Sequence, residues 1–243
     1  MDLTKFLSLL HKEALFFSRS DLLGDRFEGS LPKTEGQESF TDHVKERLKQ
    51  FGKKEIELPS DYVSMHEFIR KTCYICSFHL NQFESAALWK LYLKTNEGVA
   101  IQSTFKKLIE GLSISQKYEV LIGRVQYIDY SAETIPITEN MLYPLIFKRK
   151  SFEYENELRA MVAFPREIYP DDTLPDPKSQ IMIDLNKIPN GLYVPIDLEK
   201  VIENVYIAPT APSWIKELIQ SLIEQFGFAI QVKQSILDED PIF

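Results

Sequence analysis

The sequence predicts an α+β protein: helices flanking a mixed, mostly antiparallel β-sheet that is either continuous or split. Three observations support this. Short apolar runs bounded by turn formers read as strands, and stretches with apolar residues three and four positions apart read as amphipathic helices. The two kinds interleave without a regular βαβ period, which favours a mixed sheet over a doubly wound one. No internal repeat, low-complexity tract or Gly/Ser linker divides the 243 residues. The expectation is one domain over 1–243, with a helical insertion at about 31–71.

Leu3, Phe6, Leu7 and Leu10 fall at helical spacing, and Ala14-Leu15-Phe16-Phe17 follows as a strand. Ser18 to Ser30 is rich in turn formers and reads as a shaped loop, where functional groups often sit. Within the insertion, amphipathic stretches fall at about 40–51 and 60–71. Cys73-Tyr74-Ile75-Cys76-Ser77-Phe78 reads as a buried strand. Asn81 and Glu84 stand at capping-box spacing before an apolar helix from Ser85 to Lys94. Gly98 to Gln102 is a strand, and Ser103 to about Glu110 a helix. Strands follow at about 119–129 and 156–164, with shorter ones near 181–184 and 191–196. Val205-Tyr206-Ile207 is a strand, Pro212 opens a helix reaching Phe226, Gly227 caps it, and Ala229 to Val232 is another strand.

Hydrophobic residues at 44% and charged residues at 26% suit a packed core and argue against disorder. A net charge of −8 argues against a surface that wraps long nucleic acids. Lys106-Lys107 and Lys148-Arg149-Lys150 leave room for a local contact. No apolar run approaches the roughly 18 residues needed to cross a bilayer. Met1 to Phe6 lacks the features of a signal peptide, and the cysteines are only Cys73 and Cys76. A cytoplasmic protein without a membrane partner is expected.

Several sites are absent from the sequence: a P-loop, a G-x-G-x-x-G turn and a G-x-S-x-G elbow. Cys73 and Cys76 have C-x-x-C spacing, with His66 and His79 nearby. An odd spacing along a strand points the thiols to opposite faces, so buried thiols are expected rather than a metal site or redox pair.

The strongest chemical signal runs from Lys148 to Arg159. If extended, it projects Glu153, Glu155 and Glu157 from one face, because side chains alternate along a strand. Three such carboxylates persist when cations neutralise them or when they serve a cationic transition state. Lys148, Arg149, Lys150 and Arg159 supply cations, so an ion-paired surface strand accounts for the pattern as well as a site does. Carboxylates at i and i+2 also suit glycosyl transfer through an oxocarbenium-like state. One holds a ribose hydroxyl and steadies positive charge, and the other positions or deprotonates the acceptor.

An E-x-E pair at the start of a strand is the hallmark of one class of NAD-consuming ADP-ribosyltransferases. There an earlier strand contributes Arg or His, and a second ends in a Ser/Thr motif. Arg19 and Ser103-Thr104 fit that order, although Ser103-Thr104 reads equally as a helix cap. Glu155 and Glu157 are thus the candidate catalytic pair. Glu84, Ser85, Trp89 and Tyr92 suit a pocket with aromatic walls for a base or nicotinamide ring; as a plain alternative, Trp89 and Tyr92 belong to the core.

Taken together, these stretches resemble the bacterial proteins grouped as domain-of-unknown-function family 2971. The resemblance runs through Leu15–Arg19, Gly24–Ser30, Glu84–Tyr92, Glu97–Ile101, Val125–Tyr130 and Lys148–Arg159. That family looks distantly similar to ADP-ribosyltransferase-like toxins, including DNA-modifying ones. The resemblance implies an ADP-ribosyltransferase-like fold, NAD as substrate, no metal, and a protein or nucleic-acid acceptor, in phage defence or as a toxin or effector. It makes Glu155 or Glu157 the catalytic carboxylate, has Lys148, Glu84 and Trp89 shape the pocket, and puts Arg19, Asp25 and Glu28 on its rim. Ser85, Tyr92, Ser103 and Arg159 complete the expected binding set.

Two departures stand out. The family pattern carries a Trp-Arg-Tyr-like strand ahead of the segment starting at Asp2, which implies a start upstream of Met1 or a lost edge strand. It also has Asp-Pro where this chain has Asp25-Arg26. Two other readings stay open: a metal-dependent nuclease or phosphodiesterase using the carboxylates with Lys148 and Arg159, and a non-catalytic nucleotide-binding sensor.

Overall fold

The computed structural model describes residues 1–30, 62–95, 97–133, 140, 142–168 and 184–241. The helix expected at about 40–51 lies outside them, as does most of the strand expected near 181–184. In chain order the elements are α1 (Leu3–Lys12), β1 (Ala14–Arg19), α2 (Tyr62–Thr72), β2 (Cys73–His79), α3 (Ala86–Tyr92) and β3 (Val99–Gln102). Next come α4 (Phe105–Leu112), β4 (Leu121–Arg124), β5 (Gln126–Ile128), β6 (Phe147–Arg149) and β7 (Glu157–Ala163). Then follow β8 (Gly191–Pro195), α5 (Leu198–Val201), β9 (Asn204–Ile207), α6 (Ser213–Gln225) and β10 (Gln231–Gln234). The fold is mixed α+β, and antiparallel pairing predominates.

The chain forms two units. Met1–Phe16, Asn81–Lys117 and Tyr193–Phe243 make the first; Phe17–Leu80 and Tyr118–Leu192 make the second. In the first, the strand order is β10-β9-β3. β10 runs parallel to β9 after the α6 crossover, and β3 is antiparallel to β9. The α6 helix buries Ile215, Ile219 and Ile223, a four-residue repeat that keeps one stripe inside. Gly227, at φ +85°, ends it by taking the left-handed conformation that terminates helices. Thr104 caps α4 by accepting from the Lys107 N–H. Late in α4, a Cβ on Gly111 would meet Val201 Cγ2 at 2.0 Å, so the close approach of α4 and α5 requires glycine there.

The five-stranded sheet has the order β4-β7-β2-β1-β8; the second unit holds β4, β7 and β2 whole, with Phe17–Arg19 of β1 and Gly191–Leu192 of β8. β7 pairs antiparallel with both β2 and β4, so it is interior to the sheet. Glu157 through Val162 are all buried. A strand buried this thoroughly is normally apolar, yet β7 places Glu157 and Arg159 inside, on one face by alternation. Their charges must be met within the protein. Ser77 on β2 and Gly123 on β4 stand opposite Arg159. A Cβ on Gly123 would lie 3.0 Å from Ile146 Cγ2. The missing side chain therefore lets the 3-10 turn Tyr143–Ile146 settle close to the sheet.

Two expectations are corrected here. The strand expected at about 119–129 is broken into β4 and β5 at Val125, whose N–H turns to the Glu157 carbonyl at 2.9 Å. Glu153 and Glu155 do not share a strand face with Glu157. They sit in a 3-10 turn, Lys150–Glu155, and Asn156 links it to β7 at φ 38°, ψ 60°. Asparagine tolerates this left-handed geometry better than other residues with a Cβ. The reversal leaves Glu153 exposed and turns Glu155 toward the same lysine as Glu157.

Candidate functional site

The loop after β1, strands β2, β6 and β7, and the turn before β7 converge on five charged side chains. Arg159, at 0% exposure, donates through Nε to Glu157 Oε1 at 2.8 Å and through Nη2 to Glu28 Oε2 at 2.5 Å. Its Nη1 donates to the Leu145 carbonyl of the turn that Gly123 admits. Lys148 Nζ reaches Glu155 Oε2 at 2.5 Å, Glu157 Oε2 at 3.1 Å and Glu28 Oε1 at 3.3 Å. Ser77 Oγ donates to Glu157 Oε1, and the Tyr127 hydroxyl accepts from the Glu157 N–H at 2.8 Å. Beside the cluster, Arg149 grips Asp25 with Nε at 3.0 Å and Nη2 at 2.8 Å. Asp25 in turn accepts from the Phe27 N–H, which shapes the loop that delivers Glu28.

Three carboxylates share two cations, and burial and pairing act in opposite senses on Glu28 and Glu157. Burial pushes the Glu28 carboxyl above its ordinary 4.5, against the pull of Arg159 and Lys148. Burial acts the same way on Glu157, but the hydrogen bond and charge of Arg159, with Ser77 and Lys148, hold it below 4.5. For Lys148, burial works against the charge, yet the bond to Glu155 and the charges of Glu157 and Glu28 keep the ammonium above its ordinary range. The centre is a dense ion-pair network whose carboxylate nearest solvent is Glu155, with its side chain 13% exposed.

The structure thus brings together Asp25, Glu28, Lys148, Glu155, Glu157 and Arg159 of the expected set. Arg19 is elsewhere on the sheet. It pairs with Tyr74, whereas Glu157 pairs with His79 at the far end of β2. The separation is roughly 16 Å along the strand at about 3.3 Å per residue. Its guanidinium is engaged by Asp21 and the Ile188 carbonyl.

Glu84, Ser85, Trp89, Tyr92 and Ser103 belong to the first unit. Glu84 accepts from Trp89 Nε1, Ser235 Oγ and the Ile236 N–H, at 2.9, 2.6 and 2.9 Å. Ser85, not Asn81, caps α3 by accepting from Leu88 N–H, so the expected capping box is displaced. No residue of α3 is buried, and Tyr92 is 61% exposed, which rules out a core role for that ring. Ser103 donates to the Val201 carbonyl. Sequence reasoning missed Ser77, Tyr127 and the Leu145 carbonyl. Ser77 was detectable in principle, as a hydroxyl inside an otherwise apolar strand.

Two concave surfaces flank residues 149–156. One, of about 430 Å³, is lined by Phe27, Ile128, Asp129, Tyr130, Ser131, Arg149, Lys150 and Ser151. The other, of about 360 Å³, is lined by Arg124, Val125, Gln126, Tyr127, Glu153 and Asn156. Among the described residues no group of three or more His, Cys, Asp and Glu side chains is arranged to hold a metal ion. No helix among them is long and apolar enough to cross a membrane. No protein-family model, curated protein or solved structure matches the chain.

Proposed function

We propose that the second unit is an NAD-consuming ADP-ribosyltransferase, or a closely related glycosidase, with Glu155 as the carboxylate that meets the substrate. The observation that carries this reading is the convergence of Glu155 and Glu157 on Lys148 Nζ. The point between the two carboxylates already holds a positive charge. An oxocarbenium-like ribosyl centre is a compact cation too, so the same field stabilises it once Lys148 gives way. Ser77, on the strand beside the E-x-E pair, supplies the hydroxyl that the sequence pattern assigned to Ser103.

In the reaction the C1′–N bond to nicotinamide breaks and nicotinamide leaves with the bonding electrons. The acceptor's oxygen or nitrogen bonds to C1′ while its proton passes to Glu155; with water as acceptor the outcome is hydrolysis. Glu157, 4% exposed and held by Arg159 and Ser77, acts as a positioning residue that fixes Lys148 and the local field.

Labelled NAD incubated with the protein and a cell lysate tests this. The expected result is label transfer or nicotinamide release by the wild type, reduced about 100-fold or more in Glu155→Gln. Neither product from the wild type overturns the proposal. A second reading, a non-catalytic nucleotide sensor, is favoured by the mutual neutralisation of Glu157, Arg159 and Lys148 inside the protein. Thermal stabilisation by a nucleotide without nicotinamide release selects it.

A further inference from the structure

Beside the ion-pair network, the 430 Å³ cavity falls within the range of about 300–1,000 Å³ usual for small-molecule sites. Three kinds of chemistry meet on its walls. The Phe27 and Tyr130 rings, edge-on with centroids 5.2 Å apart, form an apolar side. Arg149 is pre-oriented: Asp25, its side chain 1% exposed, holds two of its nitrogens, and the guanidinium lies 4.8 Å from the Phe27 ring centroid. Among the described residues no acceptor meets Arg149 Nη1, and the side chain is 42% exposed. Lys150 adds a second cation, held at 2.8 Å by Glu133. The Ser151 hydroxyl has no hydrogen-bond partner among the described residues. On the same lining, beside Lys150, Asp129 Oδ1 accepts from the Ser131 N–H and Oγ at 2.9 and 2.6 Å.

We infer that this cavity binds a nucleoside phosphate, with the base against Phe27 and Tyr130, the phosphate on Arg149, Lys150 and Ser151, and a sugar hydroxyl donating to Asp129. The mixture of walls makes the selection. A bare anion is repelled by Asp129 and leaves the aromatic side unused. A cation is repelled by Arg149 and Lys150. A long nucleic acid meets a protein of net charge −8. Each part of a nucleoside phosphate, in contrast, has a matching partner. The inference rests on the proposed reaction in one respect: Lys148 Nζ and Arg149 Cζ lie 4.9 and 5.4 Å from the centroid of the same Phe152 ring, so a dinucleotide held on Arg149 by one phosphate has the Lys148–Glu155 end of the network as its neighbour.

Calorimetric titration of the full chain with ADP-ribose, AMP, adenosine and inorganic phosphate is the test. ADP-ribose and AMP should bind roughly tenfold or more tightly than adenosine or phosphate. Lys150→Glu and Ser151→Trp, both at exposed positions, should each weaken ADP-ribose roughly tenfold or more with the unliganded melting temperature unchanged. Binding that neither cavity variant alters, absent nucleoside-phosphate binding, or equal affinity for inorganic phosphate overturns the assignment. If NAD is consumed while the cavity variants leave binding intact, the cavity assignment falls and the reaction stands. If they weaken binding and nicotinamide is never released, the reaction falls and the cavity stands.

Discussion

Arg159 satisfies two carboxylates and a carbonyl at once from a fully buried position, so no other side chain replaces all of its contacts. Removing it leaves Glu28, Glu155 and Glu157 with Lys148 as their one shared cation. Arg159→Met should lower the unfolding free energy by about 3–5 kcal/mol in urea titration, because the orphaned charges stay buried. Adding Glu28→Gln should recover part of the loss, a coupling that independent sites would not show. The carboxyls also give opposite pH signatures. Glu157, held below 4.5, contributes stability that is present above 4.5 and lost as pH falls through its lowered value. Glu28, pushed above 4.5, contributes stability that is present below 4.5 and lost as pH rises through its raised value. Glu28→Gln should therefore flatten the decline in urea midpoint as pH rises above 4.5, and an unchanged slope would refute the assignment.

The turn and strand that meet at Asn156 show what a sequence reveals at the level of elements and what it hides. β2, β3, β7, β9 and α6 were legible because each has an apolar run or stripe of the right period. Glu153, Glu155 and Glu157 alternate as a strand would, and nothing local marks the 3-10 turn except an asparagine that accepts a positive φ. Asx chemistry also hid the start of α3: Asn81 looked like a cap, but its side chain turns to the Gln82 N–H and Ser85 does the capping. The network was half legible. Lys148, Glu155, Glu157 and Arg159 share one segment, whereas Glu28 joins them across 131 residues. Only the tertiary fold places Ser77 and the Leu145 carbonyl beside them. For Asn156, the geometry separates conformation from bonding. Asn156→Gly and Asn156→Ala both lose the bonds to the Leu80 carbonyl and Arg124, but only alanine pays for the left-handed backbone. Alanine should be the less stable by about 1 kcal/mol in thermal or urea unfolding.

Across the whole molecule the net charge is −8, and the cavity's two cations are each paired with a carboxylate, Arg149 with Asp25 and Lys150 with Glu133, so attraction of an anionic nucleotide is confined to direct contact with them. Raising salt from about 0.05 to about 0.5 M should weaken ADP-ribose binding, and Lys150→Glu should blunt that dependence. A salt-insensitive affinity would mean that the aromatic side dominates. The division of the chain has a different consequence, in the order of synthesis. Unit borders fall at Phe16–Phe17, Leu80–Asn81, Lys117–Tyr118 and Leu192–Tyr193. A growing chain therefore possesses every strand residue of the second unit once Leu192 has left the ribosome. In the first unit α1 is translated before the second unit begins, yet β9 and β10 are still to be translated when the second unit is complete. Domains tend to fold as units during synthesis. Force-sensitive arrest peptides should accordingly report the second unit closing first, while α1, with its buried Phe6, Leu9 and Leu10, waits without a core to enter.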